Sequence, residues 1–257
     1  NRAIEHCESE FVALLNPDAF PEPAWLEELV NAARQTPDAA SFGSCQLMAV
    51  ETDVLDGIED VCHISGLVWR GGYGRSMNSD DCTAREIFSP CAAAALYRRQ
   101  AVLAVGGFDE DFFCYVEDVD LGFRLRLSGW QSFYVPGAVV RHVGSATTGG
   151  AHSSFAVYHG HRNLVWMFVK NMPGYLFCAL LPLHLAMHLV SVVWFMFQGQ
   201  AATILRAKRD AIKGLPKAWR KRAVVQSRRS LPANALWAML NKAFFPSRRQ
   251  SRANSST

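Results

Sequence analysis

Acidic side chains all but vanish from the second half of this 257-residue sequence. Beyond position 150, Asp210 stands alone against 16 basic residues, a balance of +15, while residues 1–150 carry 22 acids against 10 bases, a balance of −12. The net charge of +3 therefore joins an acidic half to a basic one. The basic half suits an anionic surface, and the acidic half suits carboxylates arranged for metal or proton chemistry. Paired cysteines are also missing. The seven cysteines are odd in number and no two are spaced C-x-x-C, which excludes a disulfide framework and a structural zinc site and leaves free thiols in a reducing compartment. No charged start leads into a short apolar stretch, so no signal peptide is expected. No internal repeat is visible. The basic run has no reading helix and no interleaved aromatic platform, which argues against nucleic acid as a partner.

What is present begins with apolar content: half of the residues are hydrophobic, enough for a sizeable core. Asn1 to Cys7 reads as the tail of a helix. Phe11 to Leu15 is a strand ending at the turn Asn16-Pro17-Asp18. Pro23 to Gln35 is a helix with Trp25, Leu26, Leu29 and Val30 on one face. Asp53 to Asp81, rich in Gly, Asp and Ser, reads as a long surface loop. Cys91 to Tyr97 is a buried strand, and Gln100 to Val105 a helix stopped by Gly106-Gly107. Val116 to Ser128 is a second helix, stopped by Gly129. Phe133 to Val135 and Ala138 to His142 are two short strands broken by Pro136-Gly137. The alternation predicts an α/β layered domain over residues 1–150.

Three clusters in this half bear on chemistry. Asp18 projects from the C-terminal end of a strand, where ligands gather in open α/β sheets, although Asn-Pro-Asp also makes an ordinary turn. Glu117 and Asp118 open a helix, where acids complement the dipole. They also follow the aromatic run Phe112-Phe113-Cys114-Tyr115, and a carboxylate beside apolar rings could take a proton from an attacking hydroxyl. His142 ends a strand beside Gly144 and Ser145. Its imidazole, with a nearby carboxylate, could complete a site for Mn²⁺ or Mg²⁺, or it could be a satisfied core histidine.

The ordered series is more specific than its parts. Leu14-Leu15-Asn16-Pro17-Asp18, Gly106-Gly107-Phe108-Asp109-Glu110, Tyr115-x-Glu117-Asp118-x-Asp120-Leu121, Gly129-Trp130, Val135-Pro136 and His142 together resemble family-2 glycosyltransferases of the A-type fold, in particular rhamnosyltransferase-like members. The resemblance covers about residues 1–230. It implies a mixed sheet with flanking helices, with the first strand and the donor-base loop lying upstream of Asn1. It implies that Asp18 binds a divalent cation on the donor diphosphate, that Asn16 stands where the D-x-D motif has its first acid, and that His142 joins the metal site. Asp118 matches the base that deprotonates the acceptor hydroxyl for inverting attack, with Glu117 as its neighbour. Gly107, Asp109, Glu110 and Trp130 would line the acceptor. The Q-x-x-R-W motif of processive synthases is absent, since Arg124 to Trp130 reads R-L-R-L-S-G-W. The implied partners are a nucleotide-sugar and a glycan or lipid-linked acceptor in bacterial cell-surface polysaccharide synthesis. A catalytically inactive, membrane-associated fragment is the alternative.

Residues 151–230 read as a helical, membrane-associated region. Tyr158 to Lys170 is an amphipathic helix ended by Pro173-Gly174, and Tyr175 to Phe197 runs 23 residues without a charge. Pro182, His184 and His188 interrupt it, and the basic run 206–229 follows. Nucleotide-sugars are cytosolic, so both flanks belong on the cytoplasmic face of the inner membrane, and a segment lying in that leaflet on anionic lipid reconciles them. Residues 231–257 read as a partly disordered tail.

Overall fold

The apolar run at the start folds as β1 (Phe11–Leu15), after a short helix α1 (Arg2–His6). The computed structural model describes residues 1–51, 53–144 and 153–243. Next come β2 (Ala19–Pro21), α2 (Trp25–Gln35) and β3 (Ala39–Met48). The stretch read as a surface loop instead contains β4 (Leu55–Gly57), β5 (Glu59–Cys62), β6 (Val68–Gly71) and a 3₁₀ turn at Ser79–Cys82. Leu55, Asp56, Ile58, Asp60 and Cys62 are buried there. β7 (Arg85–Glu86), β8 (Ala94–Arg98), α3 (Arg99–Ala104), α4 (Glu117–Leu127) and β9 (Gln131–His142) complete the α/β part.

The main sheet has the order β1-β8-β3-β9-β2, with β4 on β3 and β7 on β9. β3 and β9 are parallel and the other pairs antiparallel, so the sheet is mixed. β3 is buried along nearly its whole length, and its small residues Ala39, Ala40, Gly43 and Ser44 leave room for layers on both faces. β9 is one strand where two were expected. Pro136 and Gly137 fall at a register shift, between Ser44↔Val135 and Cys45↔Val139, so they bulge out of the ladder without ending it. On one face lies α2, with Trp25, Leu29 and Ala33 buried four residues apart and the Trp25 indole N–H donating to Ser44 Oγ at 2.7 Å. Leu26, expected on that face, is 48% exposed. A step of one residue turns a helix by about 100°, which carries Leu26 off the sheet.

α4 covers the other face and is itself covered by α5 (Ser154–Asn171), which packs on α7 (Ala201–Ser227); α6 (Gly174–Phe197) lies between them in sequence. Gly214 permits the α5–α7 approach: a Cβ there would sit 2.4 Å from the Trp166 ring. Part of the charge asymmetry is consumed at this interface. Lys170 reaches Asp120 at 2.7 Å and Asp109 at 2.5 Å, Lys221 pairs with Asp109 and Asp111, and Lys217 pairs with Asp111 at 2.5 Å. Asp120 also takes Arg124 at 2.8 Å and Asn171 Nδ2 at 2.8 Å. So many donors satisfy a carboxylate whose burial alone would be prohibitive. The segment read as a tail starts with α8 (Ala233–Met239), whose Leu236 is buried. Asn241 then exchanges backbone hydrogen bonds with Cys62 and Ile64, both 2.9 Å. Residues 244–257, the rest of that expected tail, lie outside the described residues.

Candidate active site

The turn after β1 carries the chain from one edge of the sheet to the other, because β1 pairs with β8 while β2 pairs with β9. Asp18 is therefore set beside the end of β9: Ala19 is in register with His142, and the Asp18 carbonyl accepts from the Val143 N–H at 3.0 Å. This backbone arrangement points His142 Nε2 at Asp18 Oδ1, 3.3 Å away, while His142 Nδ1 lies 2.7 Å from Asp56 Oδ2. A carboxylate can only accept, so Nδ1 carries a hydrogen toward Asp56, and in the neutral ring Nε2 then presents a lone pair. Nε2 has no hydrogen-bond partner among the described residues. Nε2 is buried and the Asp18 carboxylate half-buried, and such a pair of donor atoms 3.3 Å apart can share a divalent metal as well as a proton.

Asp56 in turn pairs with Arg70. Arg70 stands directly across the β5–β6 ladder from Asp60. An oxygen of Asp60, the thiol of Cys91 and an oxygen of Asp118 lie within 4.8 Å of one another. Burial and the Asp118 charge hold Asp60 well above the usual carboxylate range, and burial pushes the Cys91 thiol up to about 12. Burial thus favours the protonated form of both the Asp60 carboxyl and the Cys91 thiol, which weakens this trio as a cation site.

Asp118 sits in the first turn of α4. Its Oδ2 accepts from the Ala92 N–H at 3.1 Å and its Oδ1 from the Val119 N–H at 2.8 Å. Ala93, next to Ala92, accepts from the Asn16 N–H at 2.8 Å. The 91–93 segment thus links the Asn16–Asp18 turn to Asp118. Asn16 is exposed.

The approach to α4 is strained. Phe113, Tyr115 and Val116 have φ of 63°, 64° and 70°, a left-handed region that disfavours side chains and most of all β-branched ones. The strain is held from α5. Asn163, fully buried, donates to the carbonyls of Phe112, Cys114 and Tyr115 at 2.9, 2.8 and 2.7 Å, and Arg162 donates to Phe112 O at 2.8 Å. Such local cost persists at sites whose geometry the rest of the fold dictates.

Burial and the adjacent Asp118 charge push Glu117 up to about 8. Its proton is thus held through neutral pH in the folded state and released above about pH 4.5 in the unfolded chain. Stability supplied by that proton is full below pH 4.5 and is lost as pH rises through 8. Glu117→Gln, which copies the protonated form, is expected to gain stability over the native protein progressively between pH 5 and 8 and no further above it. Denaturant midpoints at pH 5, 6.5, 8 and 9 check this, and a difference independent of pH would contradict it.

The four residues expected at the acceptor make contacts within the chain. Asp109 is bound by Lys170 and Lys221, which hold its carboxyl down at about 2, so it serves α5–α7 docking. Glu110 meets Asn1 Nδ2 at 3.1 Å, and Gly107 packs against the Asn1 side chain. Trp130 lies beyond the C-terminal end of α4, about 15 Å of helix from Asp118, and packs beside Ile4 and Leu125. Conversely, Asp56, Asp60, Arg70 and Asn163 escaped the sequence reading. The alternation Glu59-Asp60-Val61-Cys62, buried at every second residue, is the signal that could have shown a strand there.

Residues 1–163 match the family described as Glycosyltransferase like family 2. The N-acetylglucosaminyl-diphospho-decaprenol L-rhamnosyltransferase of Mycobacterium tuberculosis is 30% identical over 168 residues, which are 62% of this chain and 55% of that protein. The O-antigen biosynthesis protein RfbC of Myxococcus xanthus is 33% identical over 138 residues, 50% of this chain and 10% of that one. The chain thus spans about half the length of the rhamnosyltransferase it matches. The crystal structure of GalNAc-T7 with UDP, GalNAc and Mn²⁺ superposes with a TM-score of 0.52 at 11% identity, over 68% of this chain and 34% of that one, and shares the fold. With more than half of its length inside the family match, and a sheet of the same architecture, the chain belongs to glycosyltransferase-like family 2 and has its A-type fold.

Proposed function

We propose that the protein transfers a sugar, with inversion, from a nucleotide-sugar to a lipid-linked or polysaccharide acceptor in bacterial cell-surface glycan synthesis. The observation that supports this reading is the facing of Asp18 and His142 at 3.3 Å, with segment 91–93 bonded both to the Asn16–Asp18 turn and to Asp118. Asp18 and His142 would hold Mn²⁺ or Mg²⁺, which when bound supplies positive charge against the departing diphosphate. Asn16 lies at the mouth, placed to touch the donor. Asp118, oriented by two backbone N–H groups, accepts the acceptor hydroxyl's proton as its oxygen attacks the anomeric carbon. Glu117, protonated at neutral pH, adds no second negative charge to repel the leaving group. The relatives' names, a decaprenol-linked rhamnosyl transfer and O-antigen synthesis, support the acceptor class. Incubating the full-length protein with a panel of nucleotide-sugars, Mn²⁺ and polyprenyl-diphosphate glycolipids tests the reading. Donor-dependent product is expected, and none with any pair would favour the inactive membrane-associated alternative.

The same reading places the protein on the cytoplasmic face of the membrane. α6 is the described helix long and apolar enough to cross a bilayer, with a mean hydropathy of 2.1. Yet Leu176, Leu180, His184 and His188 line one face of it and are buried against the rest of the chain, with His184 Nδ1 donating to Ser65 O at 2.7 Å. Its opposite face exposes Leu185, Leu189, Val193 and Phe197. α7 continues the pattern: exposed Leu205, Ile212 and Trp219 recur every seven residues, flanked by exposed Arg209, Lys213 and Arg220. An apolar stripe bordered by a basic one is how a helix lies in a headgroup region. Lys213→Glu with Arg220→Glu is expected to weaken co-flotation with anionic vesicles by about 10–100-fold, at roughly 1 kcal/mol per basic residue, with little effect on neutral vesicles. A protease-protected α6 crossing in sealed vesicles would overturn this placement.

A further inference from the structure

Asp56 is the extra residue of a bulge. β3 pairs Gln46 with Gly57 and Leu47 with Leu55, so Asp56 has no partner in the ladder and its side chain is turned out of register. On the other side of β3, the same Leu47 and its neighbour Met48 pair with Arg141 and His142 of β9. The bulge thus aims Asp56 across the end of β3 at His142, with Asp56 Oδ2 2.7 Å from His142 Nδ1. Arg70 closes on Asp56 from behind, donating to its carboxylate and, at 3.4 Å, to its backbone carbonyl. The stem of Arg70 runs over Gly57, where an added Cβ would meet the Arg70 Cγ and Cδ at 2.3 Å.

We propose that Asp56, clamped by Arg70, is the positioning residue that makes His142 a metal ligand. By taking the Nδ1 hydrogen it fixes the imidazole tautomer and ring angle that present the Nε2 lone pair to the Asp18 side, and it makes that nitrogen a stronger donor. Without it the ring can flip or tautomerise, and Nε2 can carry a hydrogen that closes the site. Arg70 also stands across the β5–β6 ladder from Asp60, which lies beside Asp118, so the clamp borders the base side. The inference rests on the metal reading of Asp18 and His142, and its test separates the two.

Mn²⁺ alone is titrated into the full-length protein and free Mn²⁺ is read by electron paramagnetic resonance, a measurement that needs no turnover. Asp56→Ala is expected to raise the Mn²⁺ dissociation constant by about 10–100-fold, and Asp56→Asn, which keeps one acceptor oxygen, by roughly 10-fold. Circular dichroism and thermal unfolding confirm folding; should the alanine variant not fold, the isosteric asparagine variant carries the test. An Asp56→Asn protein that binds Mn²⁺ as the native one does, while His142→Ala loses it, would overturn the inference and leave the metal site standing. Unchanged binding in His142→Ala and Asp18→Ala, or no binding by the native protein, would overturn the metal reading and the inference with it.

Discussion

Asp118→Asn is expected to lower kcat for sugar transfer by about 10²–10⁴-fold, the range for loss of a general base, with donor KM and Mn²⁺ affinity close to native. In the barrier this is roughly 3–5 kcal/mol. The structural consequences are smaller and separable. The Asp118 carboxylate accepts from Ala92 N–H on one oxygen and Val119 N–H on the other. An asparagine has one acceptor oxygen, so one of these N–H groups would face an amide NH₂, a stability loss of about 1–3 kcal/mol. The α4 turn itself is held by α5: Asn163 grips the Phe112, Cys114 and Tyr115 carbonyls, and Asp120 is fixed by Lys170 and Arg124. The variant should therefore fold and bind donor yet fail to turn over. Nucleotide release measured at saturating donor and acceptor separates kcat from KM. Native turnover in this variant would remove the base from Asp118.

Glu117 and Asp118 differ although adjacent, and that difference was not readable from order alone. The helix start was plain, since acids lead an apolar run that Gly129 stops. The three left-handed residues before it carry no sequence signal. Phe113, Tyr115 and Val116 are ordinary helix or strand formers, and only the Asn163 amide, 48 residues beyond Tyr115, makes their conformation tolerable. β1, α2, α3, α5 and α6 were legible because apolar spacing and Gly or Pro stops are local properties, whereas α7 showed only as a basic run. β4 to β6 were not, for a physical reason. Their buried groups include Asp56, Asp60 and, just beyond β5, His63, residue types that normally stay in water. Asp56 is buried because it meets Arg70 and His142, brought by other strands, and Asp60 is buried beside Asp118 with its carboxyl held toward the protonated form. Composition makes such a segment look like a loop, while the pairing that buries it exists only in three dimensions. Asp109 misled in the opposite direction. Its motif position suggested a ligand, and three lysines from α5 and α7, which no local pattern links to it, draw the Asp109–Asp111 loop into the interface instead.

Asp18→Asn is the second large effect expected, and its signature differs from that of Asp118→Asn. The turn that places residue 18 is made by backbone, through Ala19 N–H to Asn16 O at 3.0 Å and Val143 N–H to the residue-18 carbonyl at 3.0 Å. The substitution therefore removes a charge with little change in fold. That charge matters more here than in a motif with two acids, because position 16 is already a neutral asparagine. His142 would then face an amide, and the one anionic oxygen close to its Nε2 would be gone. A neutral amide oxygen binds a divalent cation more weakly than a carboxylate does, and the diphosphate leaving group loses the stabilisation the cation brings. The rate at fixed Mn²⁺ is expected to fall by about 10²–10³-fold, the scale of losing one well-placed electrostatic contact to a developing oxyanion. Raising Mn²⁺ should recover part of this loss in Asp18→Asn and none of it in Asp118→Asn. Rate measured against Mn²⁺ concentration for the two variants checks the division of labour. Equal, metal-independent deficits would mean that Asp18 and His142 act only as a structural pair under the sheet end.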